Sequence, residues 1–223
     1  MAIDVEGAGP VSGLLQRASD AHALFVLAPG AGAGMRHPFL AELSRNLAAR
    51  GIATLRYQFP YMERNSRRPD PPALCHAAVR GAVSAARRLE PRLPLIAGGK
   101  SFGGRMTSQA QAAAPLAGVG GLAFLGFPLH PPKQPSIARA EHLHRVEVPM
   151  LFIQGSRDEF AQMALLLPLI ERLGARARLA LLAEADHSFR ARSGRSDMQV
   201  QAELMEALAD WLRTLPPMSL RGL

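Results

Sequence analysis

Short apolar runs recur along the 223 residues, at 24–28, 52–57, 93–98, 119–125, 148–154 and 178–183, and stretches with helical spacing separate them at 38–50, 73–90, 102–113, 159–173 and 197–215. A run that is apolar throughout suits a strand covered on both faces, and a helix between two such strands suits a crossover in a parallel sheet. The alternation therefore predicts an α/β fold, a mostly parallel, doubly wound sheet of about six or seven strands with helices on both faces. A weaker run at 11–17 is expected to be an edge strand. The last helix is the best specified, because Ser196 and Gln199 have capping-box spacing and Val200, Leu204, Leu208 and Trp211 form an apolar stripe. Strand-then-helix units continue to the end with no linker, so a single domain over 1–223 is expected. The Arg- and Pro-rich segment 58–72 is the longest expected loop.

Composition removes several classes of function. The formal net charge is +8, but only Lys100 and Lys133 among the 26 cations are lysines. The arginines are scattered in pairs such as Arg67–Arg68 and Arg87–Arg88, without interleaved aromatic platforms, which argues against nucleic-acid binding. One cysteine, Cys75, cannot form an internal disulfide, and its neighbour His76 would point elsewhere on a helix. The segment 1–13 carries Asp4 and Glu6 and lacks the pattern of a secretory signal. The uncharged stretch 112–129 is interrupted by Pro115, Pro128 and four glycines, so a buried strand between turns fits it better than a membrane span. A soluble, cytoplasmic protein without membrane or nucleic-acid partners is expected.

Glycine and proline together supply 38 of the 223 residues, above their usual share, and much of the excess lies at strand ends. After the run at 93–98 comes Gly99-Lys100-Ser101-Phe102-Gly103-Gly104, followed by a helical pattern. This is G-x-S-x-G in the strand–turn–helix setting of a nucleophile elbow, where a serine on a tight turn stands at the carboxyl edge of a sheet. A second Gly-rich turn, Pro29-Gly30-Ala31-Gly32-Ala33-Gly34, follows the first apolar run. Its small residues would let backbone approach a substrate carbonyl, with the Ala31 and Phe102 N–H groups as the expected oxyanion donors. Neither G-x-G-x-x-G nor a P-loop can be read there, so dinucleotide binding is disfavoured.

An activated serine needs a base, and a base needs an orienting acid. His187, in Asp186-His187-Ser188-Phe189 after the last strand run, is the expected base. Three of the other six histidines, His22, His37 and His76, precede the serine, and His130, His142 and His144 lie in or before a polar connector. Asp158, in Gly155-Ser156-Arg157-Asp158-Glu159, is the expected acid, with Glu159 as the alternative; Asp186 adjoins the histidine and would have to fold back on itself. The order Ser101, Asp158, His187, each at a strand end, carries more weight than any one motif.

On these residues the chain resembles the alpha/beta hydrolases over nearly its whole length. More narrowly it is similar to a small dienelactone-hydrolase-like group that includes a testis-expressed protein and the third regulatory subunit of a nuclear acetyltransferase (NSL) complex. The resemblance also rests on Phe127-Pro128-Leu129-His130-Pro131-Pro132-Lys133. It implies an alpha/beta-hydrolase fold without a lid domain, and a serine hydrolase acting on a small ester or thioester with no cofactor or metal. It assigns nucleophile, acid and base to Ser101, Asp158 and His187. The oxyanion loop opens with Pro29-Gly30 where many hydrolases have His-Gly. His130 and Lys133 are expected at the pocket rim, although a purely structural loop fits them equally well. The rival expectation is a non-catalytic interaction module on a hydrolase scaffold, since fold does not fix function.

Overall fold

The computed structural model of the protein describes residues 1–191 and 194–216. All six strand runs form, as β3 (Ala23–Ala28), β4 (Ile52–Tyr57), β5 (Leu95–Lys100), β6 (Val119–Leu125), β7 (Met150–Gly155) and β8 (Ala177–Leu182). They pair in parallel in the spatial order β4-β3-β5-β6-β7-β8. The run at 11–17 is β2 (Gly9–Gln16), which pairs antiparallel with β4. One strand exceeds the sequence expectation of six or seven: β1 (Ala2–Val5) pairs antiparallel with β2 and completes an eight-stranded sheet. It buries Ile3 and Val5 and exposes Ala2 and Asp4, the period-2 pattern of an edge strand with one covered face.

Helices cover both faces. On one side lie α1 (Pro38–Ala48) and the last helix, α6 (Asp197–Thr214). Their Leu40, Leu43, Leu47, Val200, Leu204, Leu208 and Trp211 pack over Phe25, Leu27, Ile96, Leu125 and Ile153. On the other side, α3 (Pro72–Leu89) and α4 (Phe102–Ala113) bring small side chains, including Ala78, Ala82 and Ala110, and α5 (Met163–Leu173) brings Leu166, Leu169 and Leu173, into one core with Leu24, Val26 and Phe124. β3 is apolar throughout, as suits a parallel strand covered on both faces; β4 is equally buried but carries Thr54 and Arg56, whose Nη1 donates to Met35 O at 2.9 Å. The expected capping box of α6 is present, with the Ser196 side chain accepting from Gln199 N and the Gln199 side chain accepting from Ser196 N.

Two connections differ from expectation. The segment 58–72 contains one helical turn, α2 (Pro60–Glu63), whose Pro60 and Tyr61 are buried. The helix expected from 159 begins at Met163, because Asp158 takes the chain through a turn first: its Oδ1 accepts from Phe160 N at 2.8 Å. The connection from β6 to β7 contains a 3-10 run, Ala138–Arg145, that buries Ala140 and Leu143. No helix among the described residues is long and apolar enough to cross a membrane.

The topology sets where a ligand can bind. From β3 the chain moves one way to β4, then returns to place β5 on the other side of β3. Such a reversal opens a crevice beyond the carboxyl ends of the two strands. Ala28 pairs with Gly99, so the turn after β3 and the turn after β5 emerge side by side.

Candidate active site

Ser101 occupies the turn between β5 and α4 with φ 50° and ψ −115°, a region that non-glycine residues rarely adopt. Strain of this kind costs roughly 1–3 kcal/mol and persists only where neighbouring structure enforces it. The enforcement comes from closely packed backbone. A Cβ on Gly99 would lie 2.4 Å from Ala28 O, and one on Gly103 would lie 2.5 Å from Pro29 O. The Ser101 N–H donates to Leu125 O of the neighbouring strand at 3.0 Å, fixing the turn to the sheet.

His187 reaches Ser101 from the loop after β8. Its Nε2 is 2.9 Å from Ser101 Oγ and its Nδ1 is 2.7 Å from Asp158 Oδ2. The carboxylate can only accept, so Nδ1 carries the proton and Nε2 is left to accept from the serine hydroxyl. Asp158 follows β7 and its side chain is fully buried, whereas the imidazole is 18% exposed. The three residues named from the sequence thus form one hydrogen-bonded chain, open to solvent on the serine side and closed on the aspartate side. Glu159 is exposed and Asp186 turns away, its Oδ1 accepting from Ser188 N and Arg190 N, so neither alternative carboxylate meets His187.

Three supporting residues were not foreseen. Gln154, buried in β7, donates from Nε2 to Asp158 Oδ2 and accepts from Phe127 N at 2.9 Å. With Phe160 N on the other oxygen, it leaves the buried carboxylate well solvated by protein donors. The Phe160 ring lies 4.3 Å from the imidazole, centroid to centroid, and restricts its rotation. Tyr61 of α2 donates its hydroxyl to Ala31 O at 2.8 Å, anchoring the turn after β3. Burial holds that phenol protonated far above its ordinary range. A glutamine inside an apolar strand is itself a signal, because a buried amide needs partners on both its ends.

Ala31 and Phe102 stand on the two adjoining turns. Ala33 N donates to Gly30 O at 3.1 Å, and a trans peptide then aims the Ala31 N–H the opposite way. Phe102 opens α4, where a backbone N–H has no partner within its own helix. A cleft of about 450 Å³ begins at Ala31 and runs past Gly34, Tyr61, Met62 and Asn65 to Arg67. A cavity of similar size beneath Arg80 and Arg87 lies away from Ser101, so volume alone does not single out the site.

His130 requires a correction. Expected at the pocket rim, it is fully buried, with Nδ1 donating to Pro131 O at 2.8 Å and Nε2 accepting from Gln162 N at 3.4 Å. Both ring nitrogens are used to tie the loop after β6 to the start of α5, leaving none to contact a ligand. Lys133 is exposed, on a turn closed by Gln134 N donating to Pro131 O. Among the described residues, no cluster of three or more His, Cys, Asp or Glu side chains could hold a metal ion.

Comparison with known proteins agrees with this fold. The family model described as "Alpha/beta hydrolase domain" matches residues 21–213. Among solved structures, a dienelactone hydrolase from Anabaena variabilis superposes with a TM-score of 0.78 at 20% identity, covering 97% of each chain. A serine hydrolase without a lid from Xanthomonas campestris superposes with a TM-score of 0.74 at 20% identity, covering 98% of this chain and 95% of that one. An alpha-beta serine hydrolase homologue from Coxiella burnetii gives 0.74 at 17% identity, covering 95% and 96%.

Proposed function

The chain belongs to the alpha/beta hydrolase domain family, and from that premise we propose that it is a serine hydrolase that cleaves a small ester or thioester through an acyl-enzyme on Ser101. Ser101 Oγ attacks the substrate carbonyl carbon while its proton passes to His187 Nε2. Asp158 stabilises the imidazolium that forms. The Ala31 and Phe102 N–H groups receive the oxyanion; each such donor typically contributes about 10²–10³ in rate. As the tetrahedral intermediate collapses, the bond to the alcohol or thiol breaks and His187 returns the proton to the leaving group. Water then attacks the acyl-serine with His187 again taking its proton; as this second intermediate collapses the bond from Ser101 Oγ to the acyl carbon breaks, His187 returns the proton to Oγ, and the carboxylic acid departs.

The observation that carries this reading is the unbroken contact from Ser101 Oγ through the imidazole to a buried carboxylate, at 2.9 and 2.7 Å. The cleft of about 450 Å³ adjoins the site through Ala31, the expected oxyanion donor, and offers room there for a compact acyl or leaving group. The dienelactone hydrolase from Anabaena variabilis matches in fold and supports a carboxylic-ester substrate class. The test is a panel of p-nitrophenyl esters and acyl thioesters of increasing acyl length. The wild-type protein is expected to turn over the short members, and Ser101→Ala to lose that turnover by at least about 10³-fold. No difference between wild type and Ser101→Ala on any member would refute the reading and favour a non-catalytic interaction role.

A further inference from the structure

A half-buried cation that the triad chemistry does not use sits directly beside the nucleophile. Lys100 ends β5, one residue before Ser101, and its ammonium reaches the loop that carries His187. Its Nζ donates to His187 O at 2.6 Å and lies 5.1 Å from the centroid of the Phe189 ring. A Cβ on Gly126, which has φ +70°, would come within 3.0 Å of that nitrogen and 3.4 Å of the imidazole. Glycine there leaves the space that the ammonium and the imidazole share. The charged groups that face Lys100 are Asp158, from the β7–α5 connection, and Asp186, from the same loop as His187.

The loop that carries His187 needs such a restraint. Glu184 and Phe189 both have positive φ, near 58° and 60°, so the segment is strained on either side of the base. Asp186 braces the distal half through the Ser188 and Arg190 N–H groups. The bond from Lys100 comes instead from the strand that bears the nucleophile, so one side chain links the backbone of the base to the residue before the serine.

We propose that Lys100 is a positioning residue, an internal clamp that holds His187 at hydrogen-bonding distance from Ser101 by binding the backbone carbonyl of the base itself. The inference rests on the hydrolase reading for its rate readout and on geometry for its spectroscopic one. An ammonium–carbonyl bond is stronger than a neutral one, so the clamp is tightest while Lys100 is protonated. Burial pulls its pKa from 10.5 down to about 8, against the opposing pull of Asp158 and Asp186. The clamp should therefore loosen within the range of an ordinary pH profile.

The experiment compares wild type, Lys100→Met and Lys100→Arg. Lys100→Met keeps the length of the side chain and removes the donor and the charge. Its kcat is expected to fall by at least about 10-fold with little change in KM, because small displacements of a reacting group are costly. Its Tm should stay level or rise, since a half-buried charge has been replaced by an apolar chain. Wild-type activity is expected to decline as pH passes about 8, and that decline should be missing in Lys100→Met and displaced upward in Lys100→Arg. The low-field proton resonance of the His187 Nδ1–H should shift in folded Lys100→Met. Wild-type kcat and an unmoved resonance in Lys100→Met would overturn the clamp, as would a rate loss explained by a lowered Tm with the resonance unmoved. If wild type shows no Ser101-dependent hydrolysis, it is the hydrolase reading that fails, and the resonance decides the clamp by itself.

Discussion

Gln154 offers the sharpest test of how the buried carboxylate is supported. Its amide is fully buried and makes two bonds of different strength, one to the Asp158 carboxylate and one from Phe127 N. A bond to a charged group contributes about 1.5–3 kcal/mol and a neutral one about 0.5–1.5 kcal/mol. Gln154→Leu, close to isosteric, removes both and leaves the Phe127 N–H without an acceptor. The expected loss is about 2–4 kcal/mol. For a chain of this size that lowers Tm by roughly 5–15 °C. Gln154→Glu separates the two contributions, because it retains an acceptor for Phe127 N but sets a second carboxylate against Asp158. Like charges raise the pKa at which the pair releases its last proton. The folded state then holds more protons than the unfolded state above the ordinary carboxylate range, so stability falls as pH rises through that range. Urea unfolding at pH 5 and pH 8 should show Gln154→Glu clearly weaker at pH 8, and Gln154→Leu equally weakened at both. A loss below about 1 kcal/mol in both variants would refute the claim that Gln154 holds Asp158 in place.

Three further outcomes follow from the same structure. Asp158→Asn should preserve the fold while lowering kcat by about 10³–10⁴-fold, because an amide donor facing His187 Nδ1 favours the wrong tautomer; steady-state kinetics beside a circular dichroism spectrum checks it. His142, whose Nε2 lies 2.7 Å from the buried Ser108 Oγ, has its pKa drawn from 6.5 down to about 4 by burial and then by Arg145 and Arg105. The unfolded state binds the proton first, so up to about 3 kcal/mol of stability should disappear as pH falls from about 6.5 to 4, and His142→Gln should flatten that part of a stability–pH curve. Burial and then Asp70 push the Cys75 thiol up to about 12, so it should resist a thiol reagent at pH 8 in the native protein and react promptly in denaturant.

The parts of this molecule that were legible in its sequence are those in which geometry leaves few residue choices. β6 has the bounds of its apolar run, because a strand covered on both faces admits almost no polar residue, and β4 and α4 have the bounds that their flanking turns suggested. The elbow was legible because backbone at Ala28 and Pro29 approaches too closely for any side chain at Gly99 and Gly103. The chain order of Ser101, Asp158 and His187 could be read because each follows a recognisable strand. β1 was not legible, since four residues with one aspartate carry little periodic signal and its place depends on pairing with β2. The start of α5 was set late by the Asp158 side chain, whose local turn onto Phe160 N delays the helix to Met163 although the apolar pattern begins earlier. His130 was misread for a related reason. A histidine among prolines looks like a rim residue until the fold brings Gln162 N against its ring.

The central claim is that Ser101 is a nucleophile activated by His187 and Asp158, and covalent trapping addresses it most directly. Wild-type protein treated with a fluorophosphonate and analysed by intact mass and peptide mapping should carry a single adduct on Ser101. Labelling should be absent in Ser101→Ala and at least about 10²-fold slower in His187→Ala, which removes the base. Folded wild-type protein that forms no adduct at Ser101, or labels equally fast without His187, would contradict the account.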